Sequence, residues 1–365
     1  MNFRLIKVNE LTDFVESFAF QNFNVVPITP LRALSQAKNP NAKANDVVLV
    51  YAENTEGQIV SYIGCLPDKL NEAETERICW CSCWWSHPTK GRTTTMQVFY
   101  KMLEVWDANM LFDDLPNRSV SILKQMNFFH FKQITGIQYF LRFKFKSIIP
   151  NRIPSLQTLK PVFSITDILL NAFVDTKNKV WKNYYHQKKI VVKPISKIST
   201  ELSLFIIEHS NDDLISRSLE VMNWIIDYPW LNQNTASKNK WTNRYYFSSY
   251  AEQFENTILT VYKENEIIGF LWFSLRDGEA KLPYIYFKSA YLKTIADVIL
   301  EQLLVLKANT FICYHPLIAN YFKHKISPAY YSKEVKKVFG YTQKLEQYFT
   351  KEKQIQDGDG DVVFT

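Results

Sequence analysis

Three cysteines alternate along Ile78-Cys79-Trp80-Cys81-Ser82-Cys83-Trp84-Trp85. On a regular strand they share one face, each about 6.6 Å from the next. Thiolates around one zinc must sit within about 4 Å of each other, so such a strand brings no three of them to a metal. They read as small buried side chains. The six histidines, His87, His130, His186, His209, His315 and His324, include no pair at ligand spacing on one helix, and no metal is expected. Glu72, Glu74 and Glu76 alternate just before the cysteine strand and read as a solvated acidic turn. Trp80 and Trp84 share a face unless the strand is bulged, and with Trp85 they read as packing between sheet and helix. Asp357-Gly-Asp-Gly-Asp361 opens like a calcium loop, but Val362 occupies the position that requires glycine. It is expected to be a tight turn into a last short strand, Val362–Thr365.

Composition bounds the frame that must position such residues. A chain of 365 residues fits two domains of roughly 150–200 residues. At 47% hydrophobic and 22% charged it is not disordered, and only nine glycines argue against Gly-rich nucleotide loops. The net charge of +7 is thinly spread. Lysines come in pairs, as at Lys188–Lys189 and Lys336–Lys337, and read as solvated surface; neither nucleic acid nor a membrane is an expected partner. A modest positive field does suit a polyanionic cofactor. No apolar run approaches the ~18 residues of a membrane-spanning helix, and Met1–Phe14 carries charges where a signal peptide is apolar. With five cysteines, a cytoplasmic protein is expected.

The chain repeats itself. Residues 50–54 read Val-Tyr-Ala-Glu-Asn and residues 261–265 read Val-Tyr-Lys-Glu-Asn, each at the turn of a strand–turn–strand pattern spanning 47–66 and 258–275. Upstream, strand patterns at Phe3–Val8 and Ile190–Ile195 each precede an amphipathic helix pattern. Downstream, Arg77–Ser86, Thr93–Trp106 and Met110–Phe112 match Pro283–Phe287, Leu292–Leu306 and Thr310–Tyr314 as strand, helix, strand. A further strand is expected at Ile137–Phe145. The division is a first domain at 1–148, a connector at 149–188 and a second domain at 189–365.

This order resembles the GNAT acetyltransferase superfamily, which includes tandem members. The strand Arg77–Ser86 with Ser86-His87-Pro88-Thr89-Lys90-Gly91-Arg92-Thr93-Thr94-Thr95 resembles that family's fourth strand and pyrophosphate loop, and Asn117–Phe129 its closing helix. The resemblance implies an α/β fold of two tandem domains, each a mixed, mostly antiparallel sheet flanked by helices. It implies acetyl-CoA as co-substrate, its pyrophosphate at the helix start near Lys90–Thr94, with Trp85, Ser86, His87, Lys90, Gly91, Arg92, Thr93, Thr94 and Asn117 as cofactor residues. The pantetheine arm would lie between Cys79–Ser86 and Met110–Asp113. Glu76 takes the place of the family's general base. The family's tyrosine acid falls on Leu123 in the first half, and on Tyr321 in the second. Arg32, in the segment Pro27–Gln36 where acceptors are contacted, is the candidate substrate residue. The implied function is acyl-CoA-dependent N-acetyl transfer to an amine-bearing or small-molecule acceptor. The alternatives are a catalytically degenerate tandem protein that binds a ligand or partner, and a tandem-GNAT aminoacyl transferase using charged tRNA. The oligomeric state is open.

Overall fold

The computed structural model describes residues 1–71, 76–187, 189–215, 217–234, 244–349 and 352–365; Glu72, Glu74 and Lys188 lie outside them. The first half runs β1 (Asn2–Lys7), helices Leu11–Glu16, Phe18–Asn22 and Pro30–Ala37, β2 (Val47–Glu53), β3 (Ile59–Lys69), β4 (Arg77–Ser86), helix Thr94–Val105, β5 (Met110–Phe112), helix Asn117–Lys124 and β6 (Phe129–Phe140). Helices Phe145–Arg152 and Lys160–Tyr185 follow. The second half runs β7 (Ile190–Ile195), helices Thr200–Glu208 and Leu219–Asp227, β8 (Phe254–Lys263), β9 (Glu266–Arg276), β10 (Glu279–Phe287), helix Leu292–Val305, β11 (Thr310–Cys313), helix Pro316–Lys323 and β12 (Tyr331–Thr342).

Helix starts follow from local chemistry. The side chains of Ser17, Thr29, Ser199 and Ser218 accept the backbone N–H three residues on, satisfying one orphan donor each. The repeated Val-Tyr step sits alike in both hairpins, with Val50 opposite Leu5 of β1 and Val261 opposite Val192 of β7. Their turns differ. Glu264 and Asn265 both take positive φ in a two-residue connection, whereas Asn54–Gln58 is a longer loop with Gly57 at φ +72°.

Two compact units form, and they interleave along the chain. Unit 1 is 1–134, 196–254 and 337–365; unit 2 is 135–195 and 255–336. In unit 1 the strand order is β1-β2-β3-β4-β5-β12, and in unit 2 it is β6-β11-β10-β9-β8-β7. Within these two runs of strands β4–β5 and β10–β11 are parallel. Each short fifth strand is covered by the other half's last strand: Phe112 pairs with Gly340 in unit 1, and Thr310 pairs with Phe140 in unit 2. The helix Lys160–Tyr185, in the stretch read as a connector, folds into unit 2, where Tyr185 and Trp181 join the apolar core.

Unit 1's sheet is buried on both faces. Val50, Ile63 and Cys79 pack under the helix Thr94–Val105, while Tyr51 and Tyr62 face the cluster built by the short N-terminal helices. Among the described residues no helix is long and apolar enough to cross a membrane, and no group of three metal-binding side chains is found.

Three expectations are corrected. β6 spans Phe129–Phe140, not Ile137–Phe145, and Phe145 starts a helix whose first N–H groups donate to Asp167. Residues Val362–Phe364 form a single 3-10 turn, not a strand. Lys337 is not solvated surface: it is 3% exposed, between Asp113 and Asp357.

Candidate functional site

β4 departs from a regular strand at one point. Its register against β3 pairs Ser82 with Gly64 and Trp85 with Tyr62, so two residues of β4, Cys83 and Trp84, oppose Ile63 alone. Cys83 takes φ +58°, a left-handed backbone that costs an L-residue on the order of 1 kcal/mol. This bulge re-aims the strand. Cys81 and Trp84 pack on the helix Thr94–Val105 side, where Trp84 stacks on Phe99, while Cys83 and Trp85 turn to the opposite face. The three cysteines therefore do not share a face, and Trp80 and Trp84 do not either. Gly64 accommodates the bulge: a Cβ there would stand 3.0 Å from the Ser82 carbonyl.

β4 and β5 stay paired only at Cys79–Met110 and Trp80–Leu111. Beyond that they part, and a cleft of about 310 Å³ opens between Cys81–Trp84 and Phe112–Pro116, with Ser119, Ser248 and Asp361 on its walls. Arg32 lies in its wall, 4% exposed. Its guanidinium rests 4.0 Å over the Trp230 ring, donates to Ser82 Oγ at 2.9 Å and contacts Cys83 Sγ. Asp361 stands 3.5 Å from it and accepts the Ser82 hydroxyl at 2.6 Å. Burial works against the Arg32 charge, but Cys83, Tyr245 and Asp361 outweigh it and hold the guanidinium above its ordinary range. Burial pushes the Cys83 thiol up in spite of Arg32, and Tyr245 Oη lies 3.2 Å from it. Burial also pushes Asp113 up to about 6, against the pull of Lys337. Asp113 and Asp361 thus line the cleft each beside a cation, Lys337 and Arg32, with the exposed Asp114 between Asp113 and the helix Asn117–Lys124.

The Asp-Gly-Asp-Gly-Asp segment forms one side of this site and is held there by charge. Asp357 meets Lys337 at 2.9 Å, Asp359 meets Arg217 at 2.9 Å and Asp361 meets Arg32. Arg217 also reaches Asp68, which accepts the indole N–H of Trp80.

The residues singled out from the sequence fall in different places. Ser86 ends β4 and pairs with Ser61. Trp85 is stacked between Tyr62 and Tyr246. His87 organises the turn that follows: its Nδ1 accepts the N–H groups of Thr89 and Lys90, and its carbonyl accepts the N–H of Gly91. Gly91 is a close-approach position, since a Cβ would stand 2.3 Å from the Val60 carbonyl. Thr94 is fully buried, its hydroxyl donating to the Gly91 carbonyl and bonded to Ser61, so its side chain cannot meet a phosphate. Lys90, Arg92 and Thr93 are exposed at the helix start, where Thr93 makes no side-chain capping bond. Asn117 is exposed in the first turn of its helix, next to the cleft residue Pro116.

Glu76 precedes β4 and is six positions from Ser82, about 20 Å along the strand; it is not at the cleft. Tyr321 belongs to unit 2, packed beside its core with its hydroxyl 3.4 Å from Lys325 Nζ. Leu123 is fully buried in the unit 1 core. A wider groove of about 670 Å³, lined by Tyr100, Gln125, Met126 and Phe128 among others, contains none of these residues. Sequence reasoning missed Ser82, Asp113, Asp114 and Asp361. The acidic pair directly after the short fifth strand was the available signal.

No family model and no curated protein sequence matches the chain. Its fold does match solved structures. A conserved protein from Enterococcus faecalis V583, a probable N-acyltransferase, is similar over 95% of this chain and 73% of its own, at 12% identity and TM-score 0.50. Looser matches are a tandem GNAT protein from the clavulanic acid pathway (93% and 98% covered, 10% identity, TM-score 0.46) and N-myristoyltransferase of Saccharomyces cerevisiae with bound myristoyl-CoA (93% and 78%, 12%, 0.47). The likeness is one of fold alone.

Proposed function

We propose that unit 1 is an acyl-CoA-dependent N-acyltransferase, with acetyl-CoA as donor and a small-molecule or peptide amine as acceptor. The observation that carries this reading is the parting of β4 from β5 at a bulge, beside the turn Lys90-Gly91-Arg92 that leads into the helix Thr94–Val105. On a fold shared with an N-acyltransferase-like protein, that opening is where a thioester arm fits between strands. The exposed helix start offers N–H groups, the positive end of the helix dipole and two cations to a pyrophosphate.

The cleft's own residues suit an amine. In water the acceptor is an ammonium ion, and the carboxylates of Asp113, Asp114 and Asp361 outnumber the cations paired with them, Lys337 and Arg32, so the cleft keeps a negative charge that attracts it. We assign the base role to Asp361 in place of Glu76, because Asp361 is at the cleft and Glu76 is not. Loss of the ammonium proton to a carboxylate frees the lone pair, which attacks the thioester carbonyl; the bulge, which leaves one residue outside the β3 ladder, supplies a backbone N–H for the oxyanion. The thiol of coenzyme A is acidic enough to leave as thiolate, so the buried Leu123 in the tyrosine position lowers the rate without forbidding the reaction. Holding both reactants in one cleft supplies the remaining advantage.

Calorimetric titration with acetyl-CoA and longer acyl-CoAs tests the reading, alongside the cleft-filling variant Ser119→Trp. Wild type is expected to bind, the variant to fold but lose binding, and thiol release to require an amine. A wild type that binds no acyl-CoA, or a Ser119→Trp protein that binds unchanged, sinks it. Binding without turnover of any amine favours the ligand-binding alternative. Strongly salt-dependent tRNA binding favours the aminoacyl alternative.

A further inference from the structure

The helix Lys160–Tyr185 is 26 residues and about 39 Å long. One face is committed to unit 2. Asp167 accepts the N–H groups of Phe145 and Lys146, Asn171 bonds the backbone of Phe143, Asp175 pairs with Arg142, and Tyr185 is in the core. The opposite face is apolar and bare. Val162, Ile165, Leu169, Phe173, Val180 and Tyr184 are each between 55% and 75% exposed.

With Thr176 these positions step by 3, 4, 4, 3, 4 and 4, an eleven-residue period traversed twice. That period, about 3.67 residues per turn, stays close to the 3.6 of a straight α-helix and drifts only slowly around it, so the side chains form one stripe along the whole element. A helix face this apolar is normally covered.

We infer that a second copy of this chain covers it, through an antiparallel pairing of the two helices about a two-fold axis at Phe173. Two features select this occupant. Phe173 stands eleven residues from each end of the stripe, so a two-fold axis there sets Phe173 against its counterpart and brings the small Val162 near the large Tyr184. A surface that matches itself end to end is what an isologous interface requires. The area also suffices. Six such side chains at these exposures offer roughly 500–600 Å² per copy, and with the flanking Ile168, Leu170 and Ala172 the contact reaches the order of 800 Å² per partner found in stable dimers. A lipid surface is the lesser fit. The polar face of an interfacial helix is free and rich in Lys and Arg, whereas here the opposite face is packed against protein.

Sedimentation velocity on the full chain decides it. Wild type is expected to sediment as a dimer at micromolar concentration, and Phe173→Glu as a monomer with affinity about a hundred-fold weaker. The Phe173→Glu circular dichroism spectrum and thermal melt should match wild type, because this side chain is 75% exposed. Mild oxidation should cross-link Phe173→Cys to itself, and Val162→Cys only when combined with Tyr184→Cys. A wild-type monomer at about 100 μM, or a dimer untouched by Phe173→Glu, overturns the proposal. So does a monomer that floats with vesicles of mixed phosphatidylcholine and phosphatidylserine and releases them on Phe173→Glu. None of these readouts depends on acyl-CoA, so the pairing and the catalytic reading stand or fall separately.

Discussion

Arg217 donates to the Asp359 carboxylate across 2.9 Å, and neither side chain is more than 4% exposed. Two other buried cations, Lys337 and Arg32, hold Asp357 and Asp361 in the same segment. The alternating Asp and Gly that resembles a calcium loop is therefore a peg of charges set into unit 1, and it carries Asp361 to the cleft. Buried pairs add little net stability over apolar residues, but removing one partner strands the other.

Arg217→Met should accordingly destabilise unit 1 by about 3–5 kcal/mol, because Asp68 and Asp359 both lose their cation. Burial already pushes Asp359 up to about 6 even with Arg217 beside it. Pairing Arg217→Met with Asp359→Asn should recover part of the loss. Urea unfolding followed by tryptophan fluorescence measures both. A single-variant cost below about 1 kcal/mol would mean that the network is not holding the segment.

Gly91 is expected to matter for packing first. Gly91→Ala pushes a Cβ against the Val60 carbonyl and the His87 backbone, so the melting temperature should fall, at a cost of about 1–3 kcal/mol. Lys90→Ala with Arg92→Ala, both exposed, should leave stability within about 0.5 kcal/mol while weakening acyl-CoA binding roughly tenfold. Equal affinity in that double variant would remove the helix start from the cofactor site.

Leu123→Tyr should not restore a missing acid. Leu123 is fully buried in the same apolar core as Val98, Phe99 and Phe129, and the added phenol overpacks it by about 1–3 kcal/mol. Thermal melts and single-turnover thiol release are the measurements. A stable variant with a faster release would show that Leu123 borders the reacting atoms.

In unit 2, burial lowers His315 from 6.5 to about 4. The residue is partly exposed overall, but its Nδ1 is out of water. Between these two values the unfolded chain binds the proton and the folded one does not, so stability falls as pH drops from about 6.5 towards 4. His315→Gln should flatten that part of the curve. Denaturation at pH 7, 6, 5 and 4 tests it; an identical pH dependence in wild type and variant would contradict it.

Much of the architecture was written locally. Alternation and helical spacing determined β4, β5 and β7 to the residue, and the duplicated Val-Tyr step marked two equivalent hairpins, because these patterns depend only on which face of an element meets a core. The order of elements along each half followed from them. Tertiary structure decided what periodicity cannot encode. Side-chain alternation does not announce the bulge at Cys83, which depends on β3 and Gly64 across the ladder, so the faces of Cys83, Trp80 and Trp84 came out differently. The exchange of last strands needs pairing between residues more than a hundred positions apart, such as Phe112 with Gly340. Charge type in a sequence is likewise silent about burial. Lys337 and the three aspartates read as solvated or as a turn until the fold brought their opposite charges to within hydrogen-bond distance or close to it. Out of water, such groups are tolerable only when paired.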